Sequence, residues 1–168
     1  MASATRWFRH FGGGARSVRR CFPQKTLEAI AAAVHESEQL HGGEIRFAVE
    51  GALHLPDVLH GLTPRERALE VFARLHVWDT EHNNGVLIYV LLADRTVEIV
   101  ADRGVAGGRV PQSEWDLVCQ TMQDQFRAGR FEEGATRGVA GVADVLAKYP
   151  AGPIQIRNEL PDFPVVIS

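Results

Sequence analysis

The spacing of apolar residues switches between two periods along this chain, and the switches mark out its elements. After Phe22-Pro23, Leu27, Ile30, Ala31 and Val34 recur three to four apart while Glu28, Glu36 and Glu38 face elsewhere. That pattern predicts an amphipathic helix running to about Leu40. Gly42-Gly43 supplies its C-terminal stop. From Glu44 to Glu50 the period drops to two, with Ile45, Phe47 and Val49 on one face and Arg46, Ala48 and Glu50 on the other, which predicts a strand. A loop from Gly51 to Leu62 leads into Thr63-Pro64-Arg65-Glu66, a capping box with proline at the first helical position. Leu69, Phe72, Leu75 and Trp78 carry that helix onward at helical spacing.

Val86 to Leu92 is apolar at nearly every position, as a central strand covered on both faces would be. A short polar turn then leads into a second run, Thr96 to Val100, so the pair predicts a β-hairpin. Pro111-Gln112-Ser113-Glu114 opens a helix with Trp115, Val118, Cys119, Met122 and Phe126 on one stripe, and Gly129 stops it. A last helix, Phe131 to Tyr149, is built on Ala135, Val139, Val142 and Leu146, and the spacing of Gly134, Gly138 and Gly141 lets it pack closely on a neighbour. The chain ends in a proline-broken extended tail with room for an edge strand at Pro164–Ile167.

The order α-β-α-β-β-α-α contains a right-handed βαβ crossover, which makes the first two strands parallel, followed by an antiparallel hairpin. The fold expected is a three-layer α/β/α sandwich on a small mixed sheet. A two-residue turn at Asp94-Arg95 sets Ala93 opposite Thr96, Gly85 opposite Gly104 and Asp102 opposite Leu87. One rim of the sheet then collects His41, Glu44, Asp79 and Glu81 together with His82, Asn84, Asp102 and Arg103. The other holds Glu50, His54, Asp57, Asp94 and Arg95. Strands of that length, at about 3.3 Å per residue, part the rims by roughly 30 Å, so they are not one site.

Two signals compete for the site. Ligands of open α/β sheets bind at the carboxyl ends of parallel strands, which favours the rim of Asp94 and Arg95. The residue chemistry favours the other, where Glu44, Asp79, Asn84 and Asp102 offer oxygens suited to a hard divalent cation such as calcium or magnesium. Catalytic candidates are Asp94, Arg95 and His82. The phosphate-cradling Gly-x-x-x-x-Gly-Lys loop, the Gly-x-Ser-x-Gly elbow and the His-Glu-x-x-His zinc motif are all missing from the sequence. The glycine-rich run Gly104–Gly108 is expected as a flexible β-to-α connection.

Length (168 residues) and apolar content (45%) suit one domain with a single core. The net charge of −3 hides an asymmetry. Residues 1–25 carry Arg6, Arg9, Arg16, Arg19, Arg20 and Lys25 and no acid, leaving 12 bases against 21 acids in the rest. So acidic a body is a poor nucleic-acid binder. Residues 1–21 form a basic leader with Trp7, Phe8, Phe11 and a Gly12-Gly13-Gly14 break. It is expected as a flexible tail, with weak peripheral contact of residues 1–20 to an anionic membrane as the alternative. No apolar run suits an export signal or a membrane span, so the cytoplasm is the expected location, with the inner face of the membrane as the alternative. Cys21 and Cys119 lack metal-ligand spacing and are expected as reduced thiols.

The run NNGVLIYVLLADRTVEIVADRGV, the later FRAGRFEEG and the opening FPQKTLEAIAAAVHESEQLHGGEIRFAVE resemble the TPM domain, and its bacterial non-secreted branch in particular. The resemblance spans about Phe22 to Tyr149, which divides the chain into a leader (1–21), a TPM-like domain (22–150) and a tail (151–168). It implies an α/β/α sandwich. For some members it also implies weak acid phosphatase activity or calcium binding through acidic residues in a cleft at the sheet edge. Asn84, Gly85, Asp94, Arg95 and Gly104 match the family's strand and turn positions. Two positions depart: Thr63-Pro64-Arg65-Glu66 stands where many members place paired acids, and Pro111-Gln112-Ser113 stands where an aspartate often follows the hairpin. The expectation is therefore a non-catalytic accessory or protein-interaction module with another protein as partner. The alternatives are a weak divalent-metal-dependent acid phosphatase and cation binding without catalysis.

Overall fold

The computed structural model describes residues 4–11, 14–107, 109–154 and 157–167. At its centre lie four strands, β1 (Glu44–Glu50), β2 (Gly85–Leu91), β3 (Thr96–Ala101) and β4 (Val165–Ile167), in the order β3-β2-β1-β4. β1 is parallel to β2, with Glu44 beside Gly85 and Glu50 beside Leu91, as the crossover between them requires. β3 returns antiparallel, and β4 adds a short parallel edge to β1. Around the sheet lie α1 (Ala4–His10), α2 (Ala15–Cys21), α3 (Gln24–Glu38), α4 (Leu55–Leu59), α5 (Pro64–Arg74), α6 (Arg103–Ala106), α7 (Gln112–Arg127) and α8 (Phe131–Lys148).

Helices α2, α3, α7 and α8 cover one face of the sheet, against Phe47, Ile88 and Ile99. The other face packs Ala48, Leu87 and Tyr89 under α4, α5 and Leu160 of the C-terminal segment. This is the three-layer α/β/α sandwich on a mixed sheet. Among the described residues no helix is long and apolar enough to cross a membrane. The glycines of α8 do bring it close to a neighbour, and the neighbour is α7: a Cβ on Gly138 would lie 2.2 Å from Met122 Sδ. The capping box also forms, Glu66 N–H donating to Thr63 Oγ1 while Thr63 N–H donates to Glu66 Oε2.

Several expectations need correction. The hairpin register is displaced by two residues: Leu91 pairs with Thr96 and Leu87 with Val100, leaving a four-residue turn, Leu92–Arg95. Arg95 takes a left-handed φ of 56° there and donates its N–H to Leu92 O. Because the shift is even, every side chain keeps its face. The α5 stripe is also rotated. Ala68 and Val71 are buried while Leu69 and Trp78 are exposed, and the helix ends at Arg74, ahead of a left-handed His76. Phe72 and Leu75 of the expected stripe pack against the same core but stay only partly buried.

The leader is not a free tail. α1 and α2 dock on the body, burying His10 and Val18, because a carboxylate and an apolar recess await them there. Gly12 and Gly13 of the glycine break, and Gly108 of the connection after β3, lie outside the described residues. The described part of that connection includes α6, a single helical turn capped by Asp102.

Candidate functional site

The two rims stay apart, at opposite ends of seven-residue strands β1 and β2. At the amino ends of β1 and β2, the candidate cation ligands face different tasks. Glu44 Oε2 accepts the N–H groups of Glu159 (3.2 Å) and Leu160 (3.1 Å), so this carboxylate clamps the C-terminal segment. Burial pushes its carboxyl up from the ordinary range, against those two bonds. One residue pair along β1, Arg46 continues the clamp, donating Nη1 to Pro161 O and Phe163 O. Asp102 Oδ1 caps α6 through Arg103 N–H at 2.7 Å. Asn84 is fully buried, donates its side-chain amide to Gly42 O and donates its backbone N–H to Thr80 Oγ1. Asp79 is exposed, and His82 packs its ring against Gly152.

Among the described residues, no three His, Cys, Asp or Glu side chains gather as a metal-binding set. A calcium or magnesium cage built from all four candidates therefore does not fit this arrangement. Two of their oxygens, Asn84 Oδ1 and Asp102 Oδ2, are nevertheless buried without a hydrogen-bond partner, as is His41 Nε2. Glu38, behind this rim, accepts Ile45 N–H at 2.7 Å, and burial pushes its carboxyl up to about 8.

The carboxyl ends of β1 and β2 are built differently. Glu50, 2% exposed, is held by a two-pronged pair with Arg67 and by the Tyr89 hydroxyl. In the hairpin turn, Asp94 and Arg95 are neighbours that point apart. Asp94 receives Arg6 Nη2 at 2.7 Å, Arg6 Nε at 2.9 Å and His10 Nε2 at 3.1 Å. Leu53 N–H donates to His10 Nδ1, so Nε2 carries the proton that Asp94 accepts. Burial pushes the Asp94 carboxyl up, but the bonds from Arg6 and His10 outweigh it and hold it below its ordinary value of 3.8. Arg95 instead lines a cleft of about 460 Å³ with Arg9, Arg20 and Arg127 over Val90 and Phe126. Asp94, Arg95 and His82 are thus not assembled into one catalytic group. Arg9 and Arg20 are not legible as cleft residues in the sequence, because the glycine break and basic composition point to an undocked leader. Arg9 beside Trp7 and the Arg19-Arg20 pair, in two short helix-compatible runs on either side of the glycine break, are the available signal.

Removing the Asp94 charge should free the leader. Asp94→Asn is expected to expose Arg9 and Arg16 to trypsin at least tenfold faster than in the parent, with the body intact, read by limited proteolysis. Acid should do the same. A carboxyl with a depressed folded pKa contributes fully above its unfolded value, and the contribution fades as pH falls through the lower folded value. Leader docking should therefore hold at pH 5 and above and loosen below about pH 4.

The family model described as TPM domain matches residues 19–145, most of the chain and all of the sheet except β4. The chain belongs to the TPM domain family. The NMR structure of the BA42 protein from the psychrophilic bacterium Bizionia argentinensis is similar at 31% identity, over 84% of this chain and 92% of that one, with a TM-score of 0.67. The solution structure of the N-terminal domain of a P. gingivalis protein shares the fold, at 22% identity over 80% of this chain and 85% of that one, with a TM-score of 0.56. No curated protein matches. The match beginning at residue 19 leaves α1 and most of α2 ahead of the TPM domain's own elements.

Proposed function

We propose that this TPM domain is a non-catalytic accessory module whose working face is the carboxyl-end rim. One observation carries the reading: the Glu50 and Asp94 carboxylates of that rim are already held within the fold, and among the described residues the cleft beside them is lined by four arginines, apolar groups and a few neutral polar ones, with no Asp or Glu. Acid–base or nucleophilic hydrolysis needs a free base or an activated nucleophile. Cys21 lines the cleft, but burial pushes its thiol up, and the Arg20 hydrogen bond only partly counters this. A protonated thiol is a poor nucleophile. A partner protein or ligand supplying negative charge suits such a rim.

A second reading, divalent-cation binding at the opposite rim, draws support from the orphaned Asn84 Oδ1 and Asp102 Oδ2. One experiment separates the two readings and the phosphatase alternative. Thermal unfolding is followed with calcium, magnesium, manganese and EDTA, and an aryl phosphate is assayed from pH 5 to 8 under each condition. The expected result is no turnover above the blank. Turnover removed by Asp102→Ala would overturn the non-catalytic reading, and a calcium-dependent rise in midpoint lost in Asp102→Ala would establish the cation site.

The docked leader also supports peripheral membrane contact, at the inner face if the protein is cytoplasmic. Phe8 and Phe11 are 68% and 69% exposed, Trp7 is packed against both rings, and arginines flank them. Aromatic groups beside bases suit an anionic interface. Phe8→Ser with Phe11→Ser should at least halve sedimentation with vesicles containing anionic lipid, and equal sedimentation by both forms would remove this contact.

A further inference from the structure

We infer that the arginine-lined cleft is a binding site for a small organic oxyanion that carries at least two negative charges and an apolar body. The inference rests on the reading that the carboxyl-end rim is the working face, and it names what that face binds.

Position is the first argument. The cleft opens where β1 and β2 end, beside Gly51 and the stretch Val90–Ala93, the place where open α/β sheets with parallel strands take their ligands. Its volume of about 460 Å³ falls within the range of small-molecule sites, roughly 300–1,000 Å³.

Charge is the second. Four arginines converge there from four separate places: Arg9 from α1, Arg20 from α2, Arg95 from the hairpin turn and Arg127 from the last turn of α7. Among the described residues, neither Arg20 nor Arg95 has a carboxylate within 4.0 Å. Arg9 reaches Asp94 only at 3.7 Å, and Arg6 and His10 already hold that carboxylate more closely. Arg127 pairs with Asp124 outside the lining. In a chain with 21 acids against 18 bases, four guanidinium groups around one cleft, two of them (Arg20 and Arg95) without a carboxylate partner among the described residues, are the reverse of the average surface. Such groups repel one another, and a bound oxyanion relieves the repulsion with the planar, forked bonds that guanidinium makes best.

The floor is the third. Val90, Leu92, Phe126 and Phe131 give the cleft an apolar base, so a bare inorganic anion leaves that surface wet, whereas an anion with a ring or short chain covers it. On the same wall the Thr96 hydroxyl is buried without a partner. Phosphate-type and dicarboxylate ligands share this chemistry, and the choice between them is left to the binding assay.

The test is titration calorimetry on the full chain with phenylphosphonate, benzene-1,3-dicarboxylate, inorganic phosphate and, as a control, chloride. Phenylphosphonate has no bond that a phosphatase cleaves. The expected result is saturable one-to-one binding of at least one aryl dianion, roughly tenfold tighter than inorganic phosphate because of the apolar floor, and weakened by added salt. Arg20→Ala and Arg95→Asn, the second chosen because asparagine tolerates a left-handed φ, should each weaken it at least tenfold. Arg137→Ala, a surface arginine of α8 paired with Glu133, should change it less than twofold. Amide shifts on the unmutated chain give an independent reading, with the largest changes expected at Gly51 and Leu92–Thr96. No saturable binding, an equal loss in Arg137→Ala, or shifts centred on Asn84 and Asp102 would overturn the site. Turnover of an aryl phosphate would sink the non-catalytic reading and leave the oxyanion site standing, so the two failures are distinct.

Discussion

Replacing Arg67 with methionine is expected to lower stability by about 3–5 kcal/mol, the usual cost of stranding one partner of a buried ion pair. Glu50 sits at the end of β1 beneath α5, with Arg67 Nε on Oε2 and Nη2 on Oε1, both at 2.9 Å, and the Tyr89 hydroxyl on Oε2 at 2.6 Å. Without Arg67 the buried carboxylate keeps one neutral donor, the Tyr89 hydroxyl, beside its strand neighbour Leu91. The effect is already visible on Tyr89, whose hydroxyl is held far above its ordinary pKa, first by burial and then by the Glu50 charge. Urea unfolding gives the number. The contrast that identifies the cause is the double replacement Glu50→Leu with Arg67→Leu, which removes both charges and should cost far less than Arg67→Met alone. If the double variant is the less stable one, the pair contributes net stability and the desolvation argument fails.

Gly85→Ala is the second large effect, at about 3 kcal/mol. A Cβ at this first residue of β2 would stand 1.9 Å from Val77 O and 2.9 Å from Val77 Cγ1. The first obstacle is backbone, so the segment from Val77 to Asn84 must move as a unit, and that segment carries the buried Asn84 at one rim. Gly138→Ala is the internal control. Its Cβ would meet Met122 Sδ at 2.2 Å, but a methionine tail can swing aside, and the expected cost is about 1 kcal/mol. Thermal unfolding of both variants checks the difference, and equal losses would show that the Val77 backbone yields as readily as a side chain.

Much of the architecture was legible because it rests on local periodicity. The amphipathic stripes of α3, α7 and α8, the dry run of β2 and the capping box of α5 each require only neighbours within a turn or two of chain. The parallel pairing of β1 with β2 followed from the crossover rule, and with it the separation of the rims. What failed shares a different cause. A left-handed arginine at position 95 leaves no glycine signal, so the sequence pattern places the hairpin turn two residues short. The stripe of α5 is offset from the one the spacing predicts: Ala68 and Val71 are its fully buried positions, Phe72 and Leu75 pack beside them only partly buried, and Leu69 and Trp78 are exposed.

The candidate site shows the same division more sharply. Glu44, Asp102 and Asn84 are oxygen-bearing residues placed together by strand order, which sequence reasoning could find. Their partners are another matter: Glu44 meets the N–H groups of Glu159 and Leu160 across more than a hundred residues of chain. Asp94 likewise meets Arg6 and His10 from the opposite terminus.

The sequence alone therefore determined the order of the seven main elements, the α/β/α layering, the two separate rims and the family, but not the short helices α1, α2, α4 and α6, because periodicity, caps and crossover handedness are local or nearly so. Tertiary structure alone decided which charges are free. Ion pairs and backbone clamps depend on where distant segments return, and the return of both termini to β1 and the hairpin turn ties up Glu44 and Asp94 and leaves Arg20 and Arg95 facing an open cleft.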